Sequence, residues 1–372
     1  MKRLAGTSIL LVLALLFALA GCGGQQQAQL KQDDFNQSFS GFTEDVGAVA
    51  NEVGQDLALQ ALAKMPGGAP GPVSSNALTL MQLSQPNLAS SADVSSLIRR
   101  ITPLSGGTLT YGRWVYNETS GSWDQDNSYT GDDLVLVWSF EDASNANHTA
   151  QLTADWNYQG HDTVDATAKD GSTVELPTDA YVSLKVDDNE VGHVRGQFTW
   201  YTGSCGTIAE PTHVIIDGRF GVSDHLDLDG IELRISATQV IFKGSISASA
   251  GSDSGSFSWN LTANGAAVRG TDCFMEEFTT NNGRLNLQSS VTKSGQTESS
   301  EFNTNFTINY SSGEPSSLDL SNGYFKLNGQ TAFTFSGTLD DSNGNGIPGE
   351  NVTVTFADGS TTLEQLIRDS HN

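Results

Sequence analysis

Cations are scarce in this chain: 18 lysines and arginines stand against 43 acids over 372 residues, a formal net charge of −25. Such a surface repels a phosphate backbone, which excludes nucleic acid as a partner and leaves divalent cations, basic proteins or plain solubility as better fits. Cysteine is rarer still, with three residues and no Cys-x-x-Cys pair, so the common zinc and dithiol spacings are missing. A Gly-x-Ser-x-Gly elbow, a His-Glu-x-x-His helix and a Walker loop are also lacking. The six histidines, His148, His161, His193, His213, His225 and His371, occur singly. No recognisable catalytic constellation remains, and the protein is expected not to be an enzyme. Acids are nevertheless so plentiful that a carbohydrate-active enzyme using paired carboxylates stands as an alternative.

Only one sustained apolar run is present, from Ser8 to Ala20, and it is too short and too N-terminal for an ordinary membrane-spanning helix. Lys2 and Arg3 precede it, and Gly and Gln follow. Basic start, apolar core and polar exit make a secretory signal. Its end, Leu19-Ala20-Gly21-Cys22, resembles the lipobox of bacterial lipoprotein precursors. That resemblance implies that Cys22 receives a diacylglyceryl group and becomes the mature N-terminus, so that the protein's first partner is a membrane. Paired acyl chains anchor firmly, because each buried methylene contributes about 0.8 kcal/mol. Gly23, not Asp, follows the cysteine, which in this class implies the exported side of the cell envelope, at the outer membrane or cell surface.

The chain then divides by its periodicity. Residues 1–21 read as the signal peptide, 22–34 as lipidated cysteine and flexible tether, 35–104 as a helical segment with a Pro/Gly linker, 105–359 as an all-β domain and 360–372 as a short helix or tail. Phe39, Phe42, Val46, Val49, Val53 and Leu57 recur at three- and four-residue steps, the stripe of an amphipathic helix that PGGAPGP from Pro66 ends. Val94, Leu97, Ile98 and Ile101 predict a second, shorter helix before Pro103. Beyond Ser105 the period switches to two, in runs such as DLVLVWSF, YVSLKV and NVTVTF punctuated by Gly, Asn, Asp and Ser. Many strands without interleaved helices predict a mainly β fold: a large antiparallel meander, as a curled sheet, half-open barrel or sandwich, preceded by one or two N-terminal helices. In HLDLDGIELRI the apolar alternation slips by one at Gly230, predicting a β-bulge or tight turn that leaves Asp227, Asp229 and Glu232 outside.

Three groups of residues are candidates for chemistry. Cys205 and Cys273 are either a disulfide, worth about 4 kcal/mol in the chain-entropy model, or two separate buried thiols. Asp341, Asn343 and Asn345, with Gly346, match the first half of an EF-hand loop, making calcium the one candidate cofactor. Position twelve is Val352, so the bidentate carboxylate is missing, and an Asn-Gly-rich strand connection competes with the ion site. The same stretch, DDSNGNGIPGENVTVTF, resembles a loop of invasin-type bacterial immunoglobulin-like repeats over that segment alone. Six tryptophans, one or so per strand, fit a β core. The expectation is a membrane-anchored envelope lipoprotein whose non-catalytic β domain binds something, such as an envelope protein, or gives support. The alternative is a carrier that curls its sheet around a lipid or other apolar ligand.

Overall fold

The computed structural model describes residues 30–66, 111–161, 163–311 and 314–370. The signal peptide, Cys22 and the helix predicted at Val94–Ile101 lie outside them. Two helices open the described structure, α1 (Gln32–Val53) and α2 (Leu57–Ala63). The single predicted stripe is thus broken at Gly54, and the Asp56 carboxylate caps the second helix by accepting from the Ala58 N–H at 2.7 Å. Phe42, Val49 and Val53 are buried, whereas Val46 is 37 % exposed.

The remainder is a mainly β fold. The strands run β1 (Gly112–Asn117), β2 (Ser122–Asp126), β3 (Leu134–Glu141), β4 (Asn147–Asp155), β5 (Val164–Thr167), β6 (Thr173–Leu176), β7 (Asp179–Val186), β8 (Asn189–Gly203) and β9 (Gly206–Phe220). They continue with β10 (His225–Ile235), β11 (Gln239–Ala250), β12 (Asp253–Arg269), β13 (Met275–Lys293), β14 (Gln296–Ser311), β15 (Glu314–Leu327), β16 (Gln330–Leu339), β17 (Val352–Phe356) and β18 (Gly359–Thr362). A final helix, α3 (Leu363–Ser370), follows. Leu363, Leu366 and Ile367 are buried, so of the two readings, short helix or tail, this segment is a docked amphipathic helix.

From β7 to β18 each strand pairs antiparallel with the next, giving one long meander. At its start β7 pairs β4, β4 pairs β3, and β1 lies between β2 and β3, parallel to the latter. The β5–β6 hairpin touches this sheet through a single parallel bridge, Thr167 to Ile208. Among the described residues β2 and β18 are each paired on one side only, so the sheet is not closed. Tight turns with both central residues at positive φ, Asp187-Asp188, Ser294-Gly295 and Asn328-Gly329, set the hairpin registers with the twist that favours this geometry.

One face of the sheet is mainly apolar, with Ser289 of β13 and Glu298 and Ser300 of β14 as polar positions on it. The cross-strand row Leu136, Leu152, Leu184, Gly192, Phe220, Leu226, Ala248, Gly255 and Val291 crosses nine strands without a polar side chain. Gly192 has a steric reason: a Cβ there would lie 2.6 Å from Phe220 Cδ1. The bulge falls where the sequence predicts it, between Asp229 and Glu232, with Gly230 at φ 55°. It keeps Leu226 and Leu228 on the same face as Ile231, Leu233 and Ile235 and sends Asp227 and Glu232 outward to Arg219 and Lys243.

The apolar face is filled in two main portions. One is built on β3, β4 and β7–β10 around Trp138, Leu152 and Phe220, with Ala58 and Ala61 of α2 against it. The other stacks phenylalanines, with Phe302–Phe335, Phe325–Phe333 and Phe333–Phe356 centroids 5.2, 5.4 and 5.2 Å apart. Phe42 and Val49 of α1 and the apolar side of α3 complete it.

Candidate functional site

Because side chains alternate along a strand, filling one face with apolar groups leaves the other to carry the polar chemistry. On the outer face, Arg113, Val135, Thr153, Ser183 and His193 form a row across β1, β3, β4, β7 and β8. Beside it, Gln151 of β4 is paired with Lys185 of β7. Arg113, Val135, Gln151, Thr153, Ser183 and Lys185, with Tyr129 and Asp133 from the segment between β2 and β3, line a shallow pocket of about 430 Å³. Val135 is its floor, 5 % exposed although it points to the outside. Tyr129 reaches back over Gly131, whose missing Cβ leaves space for the phenol.

Several polar groups of this pocket are not used by the fold. Among the described residues, the side chains of Lys185, Asp133 and Ser183 have no hydrogen-bond or ion-pair partner, and Ser183 is only 9 % exposed. Arg113 gives one N–H to Asp126 at 3.3 Å, and Gln151 gives its amide to Thr153 at 3.2 Å, leaving the Gln151 carbonyl free to accept. Burial, then the nearby Asp155 and Asp132, holds the Asp133 carboxyl above its ordinary value. Burial and the same acids Asp133 and Asp132 also raise the Tyr129 phenol. An unspent cation, an unspent carboxylate and a ring edge thus surround one depression, an arrangement suited to a small polar ligand.

A second cluster lies next to it on the outer face. The Asp179 carboxylate, 2 % exposed, accepts from Arg195 through both oxygens, at 3.0 and 2.5 Å, and from Gln197 at 3.3 Å. Tyr158 stacks on Tyr181 at 4.5 Å, and Tyr181 on His193 at 5.5 Å. Here every charge has its counter-charge, so this cluster is a structural clamp of the short 3₁₀ turn Tyr158–Gly160 onto the sheet.

The residues singled out in the sequence are dispersed over the molecule. Cys22 lies outside the described residues. Cys205 and Cys273 are joined as a disulfide, Cα–Cα 6.2 Å, linking the β8–β9 and β12–β13 turns. Beside it Glu210, 6 % exposed, receives two bonds from Arg269 and one from the Met275 N–H. Asp341, Asn343 and Asn345 do come together, in the connection between β16 and β17. Their oxygens accept from the loop's own N–H groups: Asp341 from Asn345 and Gly346 at 3.1 and 3.0 Å, Asn343 from Asn345 at 3.0 Å, Asn345 from Ile347 at 2.8 Å. The Asn343 and Asn345 amides donate to Glu364 of α3 at 3.1 and 2.7 Å. The loop is therefore a staple between strand and helix in its own right, and among the described residues no three His, Cys, Asp or Glu side chains converge on a metal-sized site.

The pocket residues were not singled out from the sequence. They are single outward positions on four strands and one loop, and nothing in their spacing marks them until the strand order is known. No protein-family model, curated protein or solved structure matches the chain.

Proposed function

We propose that this protein is a lipid-anchored cell-envelope module, non-catalytic, held on the exported side of a bacterial membrane through diacylglyceryl-Cys22, whose β domain binds with its outer polar face. One observation carries the reading of the β domain. Its apolar face is occupied by its own α1, α2, α3 and core aromatics, whereas the outer pocket holds polar groups that the fold leaves unspent. The anchor reading is supported by the Leu19–Cys22 sequence and by the tether that follows it. Among the described residues no helix is long and apolar enough to cross a membrane.

The anchor is tested by expressing the full precursor in a bacterial host and fractionating it. Wild type is expected in the membrane fraction with an acylated Cys22 by mass spectrometry, and Cys22→Ala in the soluble exported fraction; wild type without acyl mass would overturn the anchor. A carrier reading has one supporting feature, the half-buried strip of Phe242, Ile246, Trp259 and Leu261 between the two core portions, in which the Trp259 Nε1–H has no partner among the described residues. Native mass spectrometry of the mature protein separates the two. A lipid-sized adduct that leaves on denaturation would favour the carrier, and a bare protein mass the outer-face module.

A further inference from the structure

We infer that the outer-face pocket between Tyr129, Arg113 and Lys185 binds a saccharide that bears a carboxylate, a uronic-acid glycan. The inference rests on the outer-face binding reading and names its ligand class.

Size is the first constraint. At about 430 Å³ the depression falls inside the roughly 300–1,000 Å³ range of small-molecule sites, and it is open along the sheet, which suits one or two residues of a longer chain better than an enclosed metabolite. The second is the mixture of surfaces. Val135 gives an apolar floor and Tyr129 a ring wall, matched to the C–H face of a sugar ring. Around them stand three side-chain groups without a partner among the described residues, the Asp133 carboxylate, the Ser183 hydroxyl and the Gln151 carbonyl, all suited to ring hydroxyls. The third is charge. In a chain with 18 cations against 43 acids, two cations border this single pocket, and Lys185 has no counter-charge among the described residues. A carboxylate on the ligand would supply that counter-charge by a charge-assisted hydrogen bond, with the unused N–H groups of Arg113 as the second donor. A simple inorganic anion would leave the ring wall, the floor and Asp133 without a role. A neutral glycan would leave Lys185 unpaired.

The experiment titrates the full mature protein in detergent, by calorimetry and saturation-transfer NMR, with three probes: tetragalacturonate, its fully methyl-esterified form and inorganic phosphate. Tetragalacturonate is expected to bind, and esterification to weaken it at least about tenfold, the loss of one charge-assisted contact. Lys185→Met should weaken tetragalacturonate by a similar factor and leave the ester unchanged. Tyr129→Ala should weaken both. Gly131→Ala, which crowds the Tyr129 phenol without touching a ligand group, should repeat the Tyr129→Ala result in part. Thermal melts of each variant establish that it is folded. Equal binding of acid and ester, an unchanged affinity in Lys185→Met, phosphate binding as tight as the glycan, or no binding by any probe would each overturn the inference. Ester binding as tight as that of the acid and dependent on Tyr129 would overturn it while keeping the outer-face reading, whose own failure would appear instead as the lipid-sized adduct in native mass spectrometry.

Discussion

The two ends of the long sheet are held by opposite means. At one end lie the β3–β4, β7–β8, β9–β10, β11–β12, β13–β14, β15–β16 and β17–β18 turns, and α1 and α2 run across them. Leu30 and Gln32 bond to Ala357 and Asp358 at the β17–β18 turn, Asp45 pairs with Lys293 of β13, a Cβ at Gly255 of β12 would touch Val49, and Val53 packs with Leu226 and Ala250. A helix of 22 residues is about 33 Å long, close to seven full strand spacings of about 4.8 Å. The sheet is therefore spread open under α1. At the other end the β8–β9 and β12–β13 turns project past the shorter β10–β11 hairpin, and Cys205 and Cys273 bring them to a Cα–Cα distance of 6.2 Å. Three strand spacings of about 4.8 Å separate β9 from β12 in the ladder, so this end is pinched. A non-covalent apolar strap and a covalent clip thus shape one continuous sheet into a wedge.

Breaking the clip should have the largest effect. Replacing both cysteines, Cys205→Ser with Cys273→Ser, frees a loop of 68 residues and is expected to lower stability by about 4 kcal/mol in the chain-entropy model, read by denaturant unfolding. Hydrogen exchange should then rise first at the projecting ends of β9 and β12, with the α1 end unchanged; uniform loss would mean the two ends are one cooperative unit. Cutting into the strap comes next. Phe42→Ala removes a ring that is 4 % exposed and should cost about 3 kcal/mol, with exchange rising in β13–β17 and not near the disulfide.

Between the ends, the bulge is a smaller lever. Gly230 has φ 55° and open space where a Cβ would go, so Gly230→Ala should cost about 1 kcal/mol from conformation alone, and Gly230→Asn less. The smallest effect is a pH dependence at the α1 end. His148 bridges Asp187 at 2.7 Å and Asp142 at 3.3 Å, which raises its pKa, while backbone and Ser144 hydrogen bonds lower Asp142 to about 2. The histidine contribution is whole below its ordinary 6.5 and is lost as pH rises through the raised value; that of Asp142 is whole above its ordinary 3.8 and is lost as pH falls through about 2. Melting temperature should therefore fall slightly from pH 6 to 8, and His148→Asn should remove part of that slope. An unchanged slope would mean that the bridge does not hold the β3–β4 and β7–β8 turns together.

Local signals carried much of this fold. Alternation named most strands, the slip at Gly230 located the bulge, and the three- and four-residue stripe found α1, because each is a pattern that a short segment expresses by itself. The stripe did not reveal the break at Gly54, since Leu57 continues its spacing while packing against a different part of the core. The C-terminal segment left helix and tail both open because Leu363, Leu366 and Ile367 are outnumbered by polar neighbours, yet they share one side of a helix and are buried.

The candidate site was illegible for a different reason. Arg113, Tyr129, Asp133, Ser183 and Lys185 are ordinary outward residues, and only the placement of β1 beside β3, and of β4 beside β7 with β5 and β6 set aside, makes them neighbours. What the sequence determined alone was the acidic charge, the β class, the bulge and the apolar face, all consequences of residue type and period. What the tertiary structure decided was strand order, the joining of Cys205 to Cys273 and the pocket. Those depend on contacts between residues far apart in the chain, whose pairing is set by burying one common apolar face and not by any local preference.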